Sequence, residues 1–269
     1  RINSINRSIK GTSLKGKING AVGNFNAHAI AYPDVNWEIV SRKFIKGLGL
    51  EVNTHTTQVE PKDSIAELFF NYVRLNNVLI DFSRDIWGYI SLGYFKQKLK
   101  KGEIGSSTMP HKVNPIDFEN AEGNLGLANS NFQHLSNTVV ISRWQRDLTD
   151  STVMRNIGLC YGHTNLALSS LLKGVYKLEI NKDQLKHDLD NSWEVLTEAM
   201  QTIFRKHLIK DGYELMKELS RGKKISKEDL HNLIDKIDIP SEEKNALKNL
   251  TPSSYTGIAN TLAKQLKDS

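Results

Sequence analysis

Downstream of Pro61, apolar side chains recur at Ile65, Leu68, Phe69, Tyr72, Leu75, Leu79, Phe82, Ile86 and Tyr89, at steps of three and four. That spacing draws one apolar stripe along a single helix of about eight turns. A helix this long is unusual in a small globule and usual in an extended bundle, so this segment constrains the fold more than any other. A second long helix is expected from Asn114, which suits an N-cap, with Pro115 at the first helical position. Asp117 and Glu119 would sit in its first turns, where the helix dipole favours acids. Ile116, Ala121, Leu125, Ala128, Phe132, Leu135 and Val139 would mark its buried face. A third helix is expected from Ser151 past Leu172, through Val153, Ile157, Leu166 and Leu171. Its small residues (Gly158, Gly162, Ala167, Ser169 and Ser170) suit close helix packing.

After about Lys177 the texture changes. Shorter amphipathic segments are punctuated by Gly212, Gly222, Pro240 and Pro252. Asn181 and Ser226 look like helix caps, and Ser241 with Glu242 and Glu243 like a helix start. The expectation is an all-α chain in two parts: a long-helix bundle over residues 1–177 and a smaller C-terminal helical domain over 178–269. Residues 31–52 read as loop with one helix, and 51–57 as briefly extended; no strand alternation or internal repeat stands out.

Composition sets limits. Hydrophobic residues make up 39% and charged residues 25%, ordinary for a soluble globular protein. No apolar run approaches the roughly 20 residues of a membrane helix, and no N-terminal stretch reads as a signal peptide. The single cysteine, Cys160, excludes an internal disulfide and fits a reducing, cytoplasmic compartment; it reads as a small apolar residue on a buried helix. A net charge of +6 favours anionic partners such as a phosphate- or carboxylate-bearing small molecule. The lysines fall mostly in solvated, helical-looking stretches such as 96–101 and 221–227, without interleaved aromatics, so nucleic-acid binding is disfavoured. The chain opens on Arg1 with no start-like character, and reads as lacking an upstream portion.

Chemistry concentrates in residues 102–115, GEIGSSTMPHKVNP. Gly102 and Gly105 permit mobility and special backbone angles. Ser106 and Ser107 offer hydroxyl oxygens, Lys112 a positive charge, and Asn114 begins a helix whose N-terminus favours anions.

Residues 105–115, GSSTMPHKVNP, match every fixed position of the signature G-S-S-x-x-P-x-K-x-N-P of the fumarase/aspartase superfamily. KINGAVGN (17–24), TTQVEP (56–61), IDFENAEGNLGL (116–127), SRWQRDLTDST (142–152) and the segment 250–255 narrow the likeness. The whole chain resembles the adenylosuccinate lyases, in their bacterial-type branch. That resemblance implies a β-elimination: adenylosuccinate to AMP and fumarate, and release of fumarate from a succinylated carboxamide ribotide. The proton removed is weakly acidic, so the site needs a base, cationic and hydrogen-bonding groups around a carboxylate, and an acid for the leaving nitrogen.

By position in the motif, Ser106 corresponds to the family's base, activated when loop closure excludes water. Ser107 and Val113 correspond to substrate contacts, and Lys112 and Asn114 to carboxylate-binding positions. Gln58 and Asn120 are implied near the succinyl part. Arg146, Ser151, Thr152 and Arg155 are implied at the nucleotide phosphate, where arginine forks and hydroxyls are usual ligands. Read without the family, Arg146 beside Asp147 and Asp150 would be a surface ion pair. The resemblance further implies a cytoplasmic homotetramer with active sites shared between subunits. No metal or cofactor is needed by this chemistry, and no fingerprint for either is visible.

One part is missing from the pattern. The family's general acid is a histidine in a T-H-G-Q-like segment, and none of His28, His55, His111, His134, His163, His187, His207 and His231 has that context. His55 reads as a partly exposed loop residue, and His134 and His163 as locally satisfied helix residues. This chain alone is therefore expected to be inactive unless a separate chain supplies the upstream part. Rival readings are another fumarate-releasing lyase, such as argininosuccinate lyase or fumarase, and a non-catalytic helical scaffold. WQRDLTDST and TTQVEP argue against the first, and an intact Ser106, Lys112 and Asn114 against the second.

Overall fold

In the computed structural model, which describes residues 1–98, 114–210, 212–220 (218–220 by backbone alone) and 224–266, the chain divides into two units, Arg1–Glu179 and Ile180–Ser269. The first begins with helix α1 (Ile2–Gly11), strand β1 (Lys15–Gly16), helices α2 (Asn26–Ala31) and α3 (Trp37–Gly47), and strand β2 (Glu51–Val52). β1 and β2 pair in parallel, with Lys15 opposite Glu51 and Gly16 opposite Val52. α1 carries Ile2, Ile5 and Ile9 at helical spacing on an otherwise polar segment with no capping side chain; Ile5 is buried and Ile9 packs against the same core.

Three long helices form the frame: α4 (Asp63–Ser91), α5 (Ile116–Val139) and, after a short α6 (Thr149–Val153), α7 (Ile157–Lys177). α4 is 29 residues long, the length its apolar stripe predicts. Phe69, Val73, Ala128, Phe132, Leu135, Val139 and Cys160 form one core cluster, and Leu75, Leu79, Ile86, Phe118, Ala121, Leu125, Ala167 and Leu171 another. The first is pinned by aromatic rings. Tyr72 stacks on Phe132 at 5.4 Å with an interplanar angle of 16°, and Tyr161 meets both edge-on. Burial pushes the Tyr161 hydroxyl pKa up to about 12. Cys160 is fully buried and free.

The details correct several expectations. α5 starts at Ile116 with Pro115 at the N-cap, so Asn114 lies one residue before the cap. Ile116 is 62% exposed and Leu166 58%. Each precedes a buried partner, Ala121 or Leu171, by five residues, a step that turns about 140° around a helix. Phe118 occupies the buried position instead. The helix expected from Ser151 is broken by a 3₁₀ turn at Met154–Asn156. Gly158 and Gly162 face open space. The close approach falls on Gly174, where a Cβ would lie 2.9 Å from the Phe118 ring. Lys96 belongs to a short strand, β3 (Phe95–Gln97), rather than to a helix.

Buried polar groups tie the helices in register. Asp117, at the start of α5, pairs with Lys177, at the end of α7, at 2.9 Å; both side chains are only 6% exposed. Asn76 of α4 donates to the Thr164 hydroxyl of α7 at 3.4 Å.

The second unit holds α8 (Lys182–Asp190), α9 (Thr197–Lys206), α10 (Gly212–Ser220), α11 (Lys227–Lys236), α12 (Ser241–Asn249) and α13 (Ala259–Gln265). Its core gathers Leu196, Met200, Phe204, Leu230, Leu233 and Ile234. Asn181 stands at the N-cap of α8, and Ser226 forms a capping box with Asp229. Ser241 is the first helical residue of α12, behind Pro240. The Tyr255 hydroxyl donates to Glu198 at 2.9 Å. Among the described residues, no helix is long and apolar enough to cross a membrane.

Candidate active site

A lysine ties two segments of the first unit together. The Lys17 ammonium donates to the carbonyls of Gly20 at 2.7 Å, Thr57 at 2.8 Å and Gln58 at 2.8 Å. All three of its protons are thereby used on backbone oxygens, and burial lowers its pKa. Beside it, Asn19, only 1% exposed, donates to the Thr56 hydroxyl at 2.9 Å and the Thr54 carbonyl at 3.4 Å. Gly23 completes the clamp with φ +85; a Cβ there would fall 1.9 Å from the Thr56 carbonyl oxygen. Residues 17–24 thus fix the backbone of 54–58, and with it Gln58.

That backbone meets a second segment. The Gln58 N–H donates to the Gln145 carbonyl at 3.2 Å. Three residues before α6, Arg146 is exposed. Lys62 reaches Asp150 at 2.8 Å, with both side chains about five-sixths buried. Lys62 also stands in the left-handed region, φ 67, where Glu60 accepts from its N–H at 2.6 Å. Asp147 accepts from Arg143 at 2.6 Å and from Thr149, whose donors hold its pKa at about 2. Asp150 is also shifted below the usual carboxylate range, chiefly by Lys62. Arg143 and Lys62 therefore take the two aspartates, and the surface ion pair that Arg146 would suggest when read without the family does not appear among the described residues. Among the described residues Arg146 has no carboxylate partner within pairing distance, and the exposed Arg155 lies just beyond α6.

The structure therefore joins the backbone of Gln58 to the residue before Arg146 and sets Ser151, Thr152 and Arg155 on the turns that follow. The Ser151 hydroxyl donates to the Leu148 carbonyl at 2.9 Å, and the Thr152 carbonyl accepts from Asn156 at 3.5 Å. Asn120 lies in the second turn of α5, and its described side-chain contacts run to Asn124 and Ser170. Asn114 is half-buried ahead of that helix. Ser106, Ser107, His111, Lys112 and Val113 lie outside the described residues. His55 is exposed and bonds Thr54, His134 is exposed, and His163 bonds Asn124. Sequence reasoning passed over Lys17, Asn19, Lys62 and Asp150 as positioning groups. The signal was present in part: the first two fall inside KINGAVGN, and Lys62 follows TTQVEP directly.

Comparison with known proteins fits this arrangement. Residues 3–128 match the family model described as "Lyase", and 142–256 the one described as "Adenylosuccinate lyase C-terminal". The chain is 55% identical over 261 residues to the adenylosuccinate lyase of Escherichia coli (strain K12), and 56% identical over 261 residues to that of Vibrio cholerae.

The chain belongs to the adenylosuccinate lyase family. These alignments cover 97% of the chain and 57% of each relative, so it spans just over half the length of the curated relatives it matches. Among solved structures, 3-carboxy-cis,cis-muconate lactonizing enzyme from Pseudomonas putida aligns at TM-score 0.68 and 18% identity, covering 98% of this chain and 59% of that one. Class II fumarase from Schistosoma mansoni aligns at TM-score 0.56 and 19% identity over 72% of this chain and 40% of that one. Both likenesses concern the fold. In this family member, TTQVEP and WQRDLTDST are the two segments joined at Gln58 and Gln145.

Proposed function

We propose that this chain carries the base and anion-binding side of an adenylosuccinate lyase site. The reaction is β-elimination of fumarate from adenylosuccinate, giving AMP, and from the succinylated carboxamide ribotide. Ser106 removes the proton. Lys112 and Asn114, with the N-terminus of α5, stabilise the charge that develops on the substrate carboxylate. Ser107 and Val113 contact the substrate, and Gln58 and Asn120 bind the succinyl group. Arg146, Arg155, Ser151 and Thr152 take the nucleotide phosphate. The observation that carries this reading is the junction of Gln58 with the segment of Arg146, whose guanidinium lies near enough to Asp150 to lower its pKa but has no carboxylate within pairing distance among the described residues, while Arg143 and Lys62 hold Asp147 and Asp150.

The general acid comes from outside this sequence, from the part of the family's length that it does not span. The working form is a cytoplasmic homotetramer with shared sites. Exposed apolar residues on α4, α5 and α7, among them Phe70, Leu127, Leu166 and Leu172, support burial against further subunits.

The test uses a fusion of the N-terminal part of the E. coli relative to this chain, assayed by absorbance with adenylosuccinate. The chain alone should show no turnover, and the fusion should be active. In the fusion, Ser106→Ala should lower kcat by about 10²–10⁴-fold, and Arg146→Ala should raise KM about tenfold. Full activity of the Ser106→Ala fusion would remove Ser106 as the base. Turnover of argininosuccinate or malate in preference to adenylosuccinate would overturn the substrate assignment.

A further inference from the structure

Four polar side chains form a chain across the α5–α7 surface. His163 Nδ1 lies 2.8 Å from Asn124 Oδ1. Asn124 Nδ2 donates to the Asn120 backbone carbonyl at 2.9 Å and to Asn120 Oδ1 at 3.2 Å. The Ser170 hydroxyl donates to Asn120 Oδ1 at 2.8 Å. His163, Asn124 and Ser170 are half-buried, and Asn120 is exposed.

The chemistry of these groups leaves one consistent assignment. A backbone carbonyl only accepts, so Asn124 must turn its amide nitrogen toward Asn120. Its oxygen then faces His163, whose Nδ1 must carry a proton. Asn120 Oδ1 receives two donors, one for each lone pair. The Asn120 amide nitrogen is therefore turned outward, presenting two N–H donors and no acceptor. A freely rotating asparagine would offer its oxygen to the same spot half the time and repel an anion there.

We propose that His163, Asn124 and Ser170 are positioning residues that lock the Asn120 carboxamide donor-side outward, and so select a carboxylate oxygen of the substrate. This rests on the reading of Asn120 as a succinyl-binding residue. None of the three touches the substrate; each acts through Asn120.

Two measurements test it. In this chain, long-range ¹⁵N–¹H correlation of the His163 ring at alkaline pH, where an imidazole is neutral, should show the Nδ1–H tautomer. An Nε2–H ring would overturn the proposal without bearing on Asn120. In the fusion, Asn124→Asp keeps size and acceptor but loses the donor to Asn120. It should raise KM about tenfold with kcat within about twofold, and Ser170→Ala should do the same more weakly. His163→Leu should raise KM, and His163→Asn, whose amide nitrogen takes the place of Nδ1, should restore it. If Asn120→Ala raises KM while Asn124→Asp and Ser170→Ala leave it unchanged, the positioning role is wrong and the succinyl reading stands. If Asn120→Ala changes nothing, both fall. Should the fusion fail to turn over substrate, the tautomer decides the question.

Discussion

Replacing Gly23 by alanine isolates one close approach in the fold. Gly23 has φ +85, and the added Cβ would lie 1.9 Å from the Thr56 carbonyl oxygen and 2.8 Å from its carbon. Ordinary contact needs well over 3 Å, so Thr56 must retreat by more than 1 Å. Its neighbours resist that retreat: Lys17 bonds the Thr57 and Gln58 carbonyls, and Asn19 bonds the Thr56 hydroxyl. Gly49 is the matched control, with φ +77 and nothing within 4 Å of its Cβ position. Gly49→Ala should therefore cost only the left-handed penalty, about 1–2 kcal/mol. Gly23→Ala should add an overpacking cost of about 1–3 kcal/mol, for about 2–5 kcal/mol in all. Urea unfolding of both variants, followed by hydrogen exchange at the amides of 54–58, reads the difference. Equal costs within about 0.5 kcal/mol would refute the claim that residues 17–24 clamp the Gln58 segment.

Lys62→Met should cost about 1–3 kcal/mol, between the values for exposed and buried pairs. The Asp150 pKa is depressed in the fold, so the pair's contribution is full above the unfolded carboxylate pKa of about 3.9 and is lost as pH falls through the lower folded value. Acid titration of stability should show this loss in the parent and not in Lys62→Met; parallel curves would refute it. Asp117→Asn removes the buried carboxylate that Lys177 and Lys173 both approach and should cost about 1–3 kcal/mol in denaturant unfolding. Phe132→Ala, at a fully buried ring stacked on Tyr72, should cost about 3–5 kcal/mol, and a loss below about 1 kcal/mol would show that the aromatic cluster is not packed as described. Gly47→Ala, in the last turn of α3 with open space at Cβ, should stabilise by about 0.5–1 kcal/mol in the same assay.

Much of the frame is legible in the sequence because helix periodicity is local. The stripe from Ile65 to Ile86 needs no knowledge of its partner to announce α4, and Ser226 caps α11 with a residue three positions away. Some of the misses are local: Ile116 and Leu166 stand about 140° of helix away from Ala121 and Leu171, and the spacing of Ile2, Ile5 and Ile9 already announces α1. Others involve a nonlocal choice. Gly174, rather than Gly158 or Gly162, is the required glycine because Phe118 arrives from another helix. The candidate site divides the same way. Its residue types were readable from the motifs, but Lys17 could not be seen as the clamp of Thr57 and Gln58, some 40 residues away, nor Lys62 as the partner of Asp150, 88 residues on.

By itself, the amino-acid order determined the helical class, the long α4 and the family to which the chain belongs, because these depend on side chains a few residues apart. Only the tertiary structure decided which helix faces are buried, that Gln58 meets the segment of Arg146, and that Asn120 turns its donors outward. Those outcomes depend on hydrogen bonds and steric contacts between segments that approach each other only after the chain has folded, and no local pattern encodes which donor will find which acceptor.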